Sequence, residues 1–196
     1  MIDEDPQAGS ACDHTRVSTL ARDVREDLRR YPRGRRGLLS VIGLLSTPQV
    51  AATALHRISH CLFARGHFHA ARAVASLNLH LHKITFSPAS CVGGGLYLAF
   101  PAGLVFEGRA GSHLSLYTRC VCFSGGPALM GALEAAPRLG DHVSIGAHGA
   151  VVGRVRVGSR ARIGFNVAVR SDVPADRVVL SRGMLARAAP GEGAGA

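Results

Sequence analysis

The sequence predicts an α+β fold in which an N-terminal α-helical cap precedes a parallel β-helix of hexapeptide repeats. The first observation is that every sixth residue from Leu139 to Val169 is branched and apolar. This period fits neither an α-helix nor an alternating strand, and it is typical of a solenoid with three short strands per coil. The second is that a glycine follows four of these residues, and the third is that helix-like segments precede the repeats. The repeated positions are Leu139, Ile145, Val151, Val157, Ile163 and Val169.

The cap is expected over residues 15–83, after a polar and disordered tail at residues 1–14. An apolar stripe at Leu20, Val24 and Leu28 predicts a helix over 17–31.

Further helices are expected over 37–45, 48–63 and about 68–81. Thr47 and Pro48 are a good start signal for the second of these, with threonine as the cap and proline in the first turn. The uncharged stretch from Gly37 to Leu55 reaches the length of a membrane span. Polar residues and Pro48 interrupt it, so we expect two packed helices and no membrane association.

The β-helix is expected over residues 84–186. Before the regular block, a weaker six-residue register runs through Phe86, Val92, Leu98, Leu104, Ala110, Leu116 and Cys122. The spacing from Cys122 to Leu139 is not a multiple of six, so residues 123–138 are expected to loop out. The register then predicts coils over 86–122 and 139–173, and the glycine- and alanine-rich residues 187–196 are expected to form a flexible tail.

Composition limits the classes of partner. The chain has 23 basic and 13 acidic residues, a net charge of +10, which favours anionic partners such as phosphorylated small molecules. The arginines are scattered and there are three tyrosines and no tryptophan, so no nucleic-acid partner is expected. Five cysteines without a CxxC pair, and no signal peptide, favour a reduced cytoplasmic protein without a metal site.

Four segments resemble the serine O-acetyltransferase family of hexapeptide acyltransferases, over about residues 20–186. They read DVREDLRRYP, ALHRISHCLF, GLYLAFPAGLVFEG and APRLGDHVSIGAHGAVVGRVRVGSRARIGFNVAVRSDVP. The resemblance implies a left-handed β-helix, a homotrimer with active sites between subunits, acetyl-CoA or another acyl-CoA as co-substrate, and a small-molecule acceptor.

The resemblance also locates the family's catalytic positions, and this chain departs from the family at each of them. The family's Asp-His pair, which supplies the general base and its orienting carboxylate, corresponds to Ala99 and Phe100. Its Arg-His pair, which binds the substrate carboxylate, corresponds to Ala135 and Ala136, and Tyr31 stands where the family has an aspartate before proline. Serine acetylation by the family mechanism is therefore not expected.

Other polar residues are candidates for a rebuilt site. His148 replaces a glycine at a coil corner near the path of the cofactor, and it is the best candidate for a relocated catalytic histidine. Arg119 is a candidate for substrate or phosphate contact. Glu107 is expected in an exposed turn, while His56 and His60, one helical turn apart, are expected to serve packing.

The family's cofactor positions are partly retained. Gly125 and Gly126 match a glycine pair beside the pantetheine arm, and Ala147 matches an alanine whose backbone contacts the cofactor. Arg162 replaces a lysine near the phosphates, whereas Phe165 replaces a small alanine along the groove. Acyl-CoA binding is therefore compatible with the sequence but opposed by the bulk of Phe165.

Two functions follow from these residues. The first is a CoA-dependent acyltransferase acting on an amino-acid-like small molecule, with a divergent active site. The alternative is a catalytically inactive homologue that serves as a scaffold or regulatory partner. The family's partner cysteine synthase is not expected, because that enzyme binds a C-terminal isoleucine and this chain ends Gly-Ala-Gly-Ala.

Overall fold

The computed structural model describes residues 17–31, 47–125, 133–180 and 185–187. Three α-helices precede fifteen short strands within these ranges: α1 (Val17–Arg29), α2 (Pro48–Ala64) and α3 (Phe68–His82). The helix predicted over 37–45, the tail predicted over 1–14 and residues 188–196 of the predicted C-terminal tail lie outside the described residues.

Helices α2 and α3 form a tightly packed pair. Thr47 precedes α2 with an extended backbone and Pro48 occupies its first turn, as the sequence predicted. Lys83 ends α3 in the left-handed conformation at φ 57°. Between the two helices, the Ser59 hydroxyl donates to the carbonyl of Ala71 at 2.8 Å, so the helices approach closely at this small residue. No helix in the described ranges is long and apolar enough to cross a bilayer.

The strands wind into a parallel β-helix with three faces. Sheet A has the order β1-β4-β7-β10-β13, sheet B β2-β5-β8-β11, and sheet C β3-β6-β9-β12-β14-β15. Every pairing is parallel except that of β14 with β15. The strands are β1 Thr85–Phe86, β2 Cys91–Val92, β3 Tyr97–Leu98, β4 Val105–Phe106, β5 Arg109–Ala110, β6 Ser115–Leu116, β7 Val121–Phe123, β8 Arg138–Leu139, β9 Ser144–Ile145, β10 Ala150–Val152, β11 Arg156–Val157, β12 Arg162–Ile163, β13 Ala168–Val169, β14 Arg177–Val179 and β15 Leu185–Arg187.

The core is the column of side chains inside the prism. Ile145, Val151 and Leu116 are fully buried there, and each pairs in register with the inward residue of the next coil. This arrangement confirms the predicted helical cap followed by a parallel β-helix. The hexapeptide register arises because one apolar residue per strand points inward while its neighbours point out.

One position of the predicted six-residue register is wrong. Phe106, not Leu104, occupies the inward strand position, pairing with Phe86 on one side and Cys122 on the other. Two extra residues widen the preceding corner, where Gly103 adopts φ 75° and donates its N–H to the carbonyl of Lys83. Leu104 is nevertheless fully buried, because at the end of this corner its side chain packs against the core.

A buried ion pair fixes the cap on the first coil. The Arg57 guanidinium contacts Asp27 at 3.1 Å and donates to the carbonyls of Val92 and Gly93. Asp27 also accepts the N–H of Leu96 at 2.7 Å, so one carboxylate joins α1, α2 and the β-helix. Burial raises the pKa of Asp27, while the Arg57 charge opposes that rise.

Candidate active site

The candidate site lies along one edge of the prism, where the chain turns from sheet C to sheet A. We call this edge the C–A corner; it comprises residues 99–104, 117–120, 146–149, 164–167 and Leu180. In each of the first four turns one non-glycine residue has a positive φ: Phe100 (50°), Arg119 (52°), His148 (58°) and Asn166 (55°). Backbone hydrogen bonds join successive turns, so these residues form a row with about 4.8 Å per coil.

The positions of the family's Asp-His pair begin this row. Ala99 is buried and donates its N–H to the carbonyl of Leu116 at 2.9 Å. The Phe100 ring is 78% exposed. Neither side chain accepts a proton, so the site holds no general base at these two positions.

Polar side chains follow in the next two turns. Arg119 is exposed, and its stem lies over the corner glycine, since a Cβ at Gly103 would be 3.0 Å from Arg119 Cγ. His148 is exposed in the following turn, where its N–H donates to the carbonyl of Thr118 at 3.0 Å. The imidazole therefore belongs to the same corner as Phe100, two coils away, or about 10 Å along the axis.

Exposed apolar side chains share this corner. Every exposed large hydrophobic residue in the described part of the β-helix lies here, a grouping that the sequence did not predict: Phe100, Tyr117, Phe165 and Leu180. The remaining ones are on α2 and α3. The sequence contained a signal for this grouping. Each of the four residues follows an inward position by one or two residues, and at such a solvated corner small or polar side chains are the usual ones.

Three of the five cofactor candidates lie on or beside the C–A corner. Ala147 is half-buried and its carbonyl accepts the N–H of Asn166. Phe165 is 65% exposed, and Arg162 lies exposed on the outer face of β12. Gly125 lies instead at the turn from sheet A to sheet B, with φ 85°, and Gly126 is outside the described residues.

The positions of the family's Arg-His pair lie at another edge. Ala135 ends a short 3₁₀-helix (Leu133–Ala135), and Ala136 follows it, buried, at the turn from sheet A to sheet B. The width of sheet A therefore separates them from Phe100 within one chain.

Glu107 also lies at this second edge, and the expectation of an exposed turn is wrong for it. Only 1% of its surface is exposed, and the Ser124 hydroxyl donates to its carboxylate at 3.4 Å. The cause is the same shift that places Phe106 in the strand, because Glu107 follows that residue directly.

Other reactive side chains are unsuited to the site. His56 and His60 belong to α2 and are buried, and the His60 ring contacts the carbonyl of Pro88 at 2.9 Å. Burial raises the pKa of Cys120 to about 12, so this thiol remains protonated at neutral pH. Among the described residues no three side chains of metal-binding type are grouped.

Comparison with known proteins identifies serine acetyltransferases as relatives of this chain. No protein-family model matches the chain. A serine acetyltransferase of Helicobacter pylori is 32% identical over 133 residues, which are 67% of this chain and 76% of that enzyme. The serine acetyltransferase of Mycobacterium tuberculosis is 32% identical over 135 residues, but the match spans only 58% of its length. The crystal structure of Neisseria gonorrhoeae serine acetyltransferase superposes with a TM-score of 0.78 at 27% identity, covering 89% of this chain and 67% of that one.

Proposed function

This chain belongs to the serine acetyltransferase family, and from that membership we propose that it is a CoA-dependent acyltransferase with a rebuilt acceptor site. Acetyl-CoA or another acyl-CoA is the donor, and an amino-acid-like small molecule is the acceptor. The observation that carries the proposal is the exposed His148, which shares the C–A corner with Arg119 and with the positions of the family's catalytic pair.

The corner fits an acyl-CoA chain along its backbone. Gly146 and Gly164 stack so closely that a Cβ on Gly146 would lie 3.0 Å from the Gly164 carbonyl carbon, which leaves a strip without side chains. Arg162 carries a positive charge beside this strip. The exposed Phe165 ring stands at its side, where it narrows the strip rather than filling the prism.

In the proposed reaction the coenzyme supplies a thioester, and the protein supplies a base and an anchor. The His148 imidazole accepts the proton of the acceptor's hydroxyl or amine as the acyl carbon is attacked, and the CoA thiolate leaves. The Arg119 guanidinium holds the acceptor's carboxylate. Phe100 provides an apolar wall in place of the family's acid–base pair, and this wall favours an acceptor bulkier and less polar than serine.

The test is thiol release from acetyl-CoA over a panel of amino acids with hydroxyl, amine and apolar side chains. His148→Gln is expected to lower kcat by about 10²–10⁴-fold, as for loss of a general base. Arg119→Gln is expected to raise KM for the acceptor. His69→Gln, an exposed change on α3, is the matched control and leaves both constants unchanged. Equal turnover in the His148→Gln variant would remove His148 from the mechanism.

The second candidate function is a scaffold without catalysis. The observation that favours it is the loss of proton-accepting side chains at Ala99, Phe100 and Ala136 together. Under this alternative no amino acid in the panel releases thiol, and acetyl-CoA does not bind.

A further inference from the structure

A row of three arginines crosses the outer face of sheet B, away from the C–A corner. Arg109, Arg138 and Arg156 are the outward residues of β5, β8 and β11, and they pair in register, Arg138 between the other two. Because paired strands lie about 4.8 Å apart, the row is about 10 Å long. We call these three residues the arginine row.

This arrangement is unfavourable without a counter-charge. Like charges directly opposite each other on neighbouring strands destabilise a sheet. The ion pairs within the described ranges involve Arg22, Arg57 and Arg160 and none of the arginine row. The backbone N–H of Arg156 donates to the Asp172 carboxylate at 2.7 Å, so this contact holds the turn and does not pair with the Arg156 guanidinium. An anion from outside the described chain would therefore relieve the repulsion.

A flat strip of glycines adjoins the row. Gly111, Gly140 and Gly158 lie two residues after the three arginines, and each packs against the next coil. A Cβ on Gly140 would lie 2.6 Å from the backbone nitrogen of Ser159, so no side chain fits there. The three glycines therefore place no side chain between the guanidinium groups and the turns that follow.

Beyond the strip, the turns from sheet B to sheet C line a cavity of about 470 Å³. His113 and His142 occupy equivalent places in successive turns, and their rings stack with centroids 4.6 Å apart and planes 11° apart. Arg160 follows in the next turn and contacts Asp176 at 2.5 Å. Burial lowers the pKa of His142, and the neighbouring His113 adds to that effect, so its ring offers a neutral N–H donor at neutral pH.

The carboxylates around this cavity already have partners. Glu26 accepts from the Arg22 guanidinium at 3.1 Å. Asp141 accepts the backbone N–H of Ser112 at 2.6 Å, and Asp176 is held by Arg160. Glu26 and Asp176 are thus paired with arginines, whereas Asp141 and Asp172 accept only backbone N–H groups and keep their charges. The three guanidinium groups of the arginine row still outnumber these two carboxylates.

We propose that the arginine row and the adjoining histidine cavity bind a small molecule that carries two or more phosphate groups. Guanidinium groups bind phosphate oxygens through two parallel hydrogen bonds, and a chain of phosphates bridges neighbouring arginines. The imidazole N–H groups and the Ser112 and Ser159 hydroxyls then receive the rest of the ligand. The cavity volume is within the range of small-molecule sites.

Single-stranded nucleic acid fits this surface less well. Its binding depends on aromatic side chains on which bases stack. The exposed large apolar side chains of the described β-helix all lie at the C–A corner, across sheet C from this cavity. The proposed acyl-transfer site also lies at the C–A corner, so the phosphate site is separate from it.

The experiment is calorimetric titration of the full chain with inorganic tripolyphosphate, with orthophosphate and with a short oligothymidylate, all at one ionic strength. Tripolyphosphate is expected to bind with a stoichiometry of one per chain and more tightly than orthophosphate. Arg138→Gln removes the central guanidinium and is expected to weaken tripolyphosphate about tenfold or more, as for loss of a charged hydrogen bond. Arg138→Lys keeps the charge without the planar fork and is expected to bind with intermediate affinity.

Two matched variants separate this site from general charge. Arg72→Gln removes an exposed arginine from α3 and is expected to leave the affinity unchanged. Arg162→Gln tests the proposed CoA region and is also expected to leave tripolyphosphate binding unchanged. Absence of saturable binding would overturn the proposal. So would an equal loss in Arg72→Gln, a loss confined to Arg162→Gln, or binding of the oligothymidylate alone.

Discussion

At the scale of single residues, the corner conformation explains why histidines recur at the turns. His113, His142 and His148 all have φ between 56° and 59°. Most side chains disfavour this left-handed region by about 1–2 kcal/mol, whereas histidine, asparagine and aspartate occur there more often. His148 therefore has a structural reason for its place as well as its proposed role, and only kinetics separates the two.

The residues at the family's catalytic positions give the first prediction. Serine acetylation is expected to be absent or very slow, far below the ordinary range of about 1–10³ per second, because Ala99 and Phe100 supply neither a base nor its orienting group. The measurement is thiol release from acetyl-CoA with serine. A chain carrying Ala99→Asp, Phe100→His, Ala135→Arg and Ala136→His is expected to gain rate. Ordinary turnover by the unaltered protein would contradict the assignment of these positions.

At the scale of elements, periodicity predicted the strands because an apolar residue that points into the prism recurs at every sixth position. The blocks from Leu139 to Val169 keep an interval of six residues and fold as expected. In the earlier block the predicted register is wrong at Leu104. The corner that precedes Phe106 is two residues longer than the regular one, and the connection from Phe106 to Ala110 is two residues shorter. Leu104 and Phe106 are both apolar, so their residue types do not indicate which of them occupies the inward strand position. The burial of Glu107 was missed for the same reason.

The core column gives the second prediction. Ile145 is fully buried between Leu116 and Ile163 on the neighbouring coils, so Ile145→Ala is expected to lower the free energy of unfolding by about 2–5 kcal/mol. Ser144 is the outward neighbour on the same strand, and Ser144→Ala is the matched control, expected to change stability by less than about 0.5 kcal/mol. Denaturant unfolding measures both. Equal losses would contradict the inward and outward assignment.

At the scale of the whole molecule, the three faces of the prism differ in chemistry. The outward residues of sheet A are small or apolar: Thr85, Val105, Val121, Ala150 and Ala168. Sheet B presents the arginine row, and sheet C presents hydroxyls and arginines. Sheet A is therefore the face suited to contact with other copies of the chain.

This contrast gives the third prediction, a homotrimer joined through sheet A. Light scattering is expected to give three times the 20.5 kDa mass of one chain. Val121→Glu places a charge in the middle of sheet A and is expected to yield monomers, whereas Ser144→Glu on sheet C leaves the trimer intact. A monomer at micromolar concentration in the unaltered protein would contradict this assembly. In such a trimer the edge with Ala135 and Ala136 of one subunit would approach the C–A corner of the next.

The candidate site is only partly predictable from the sequence, because its residues come from different coils. The positions of Ala99 and Phe100 followed from the family resemblance and from the register of Leu98. The grouping of Arg119 and His148 on one corner depends on how coils stack, and so does the alignment of three arginines on sheet B. Residues that lie 18 or 29 positions apart become neighbours only when the coil lengths are known.

Calorimetric titration with acetyl-CoA and with desulfo-CoA, which cannot carry an acyl group, tests directly whether this protein binds the acyl donor. We expect saturable binding of both ligands, weakened in Arg162→Ala by about 1 kcal/mol, the scale of an exposed charge contact. In Phe165→Ala, binding is expected to tighten by about 1–3 kcal/mol, because the exposed ring narrows the strip beside Gly164. An absence of binding by the unaltered protein and by both variants would contradict the acyltransferase account and leave the scaffold as the function.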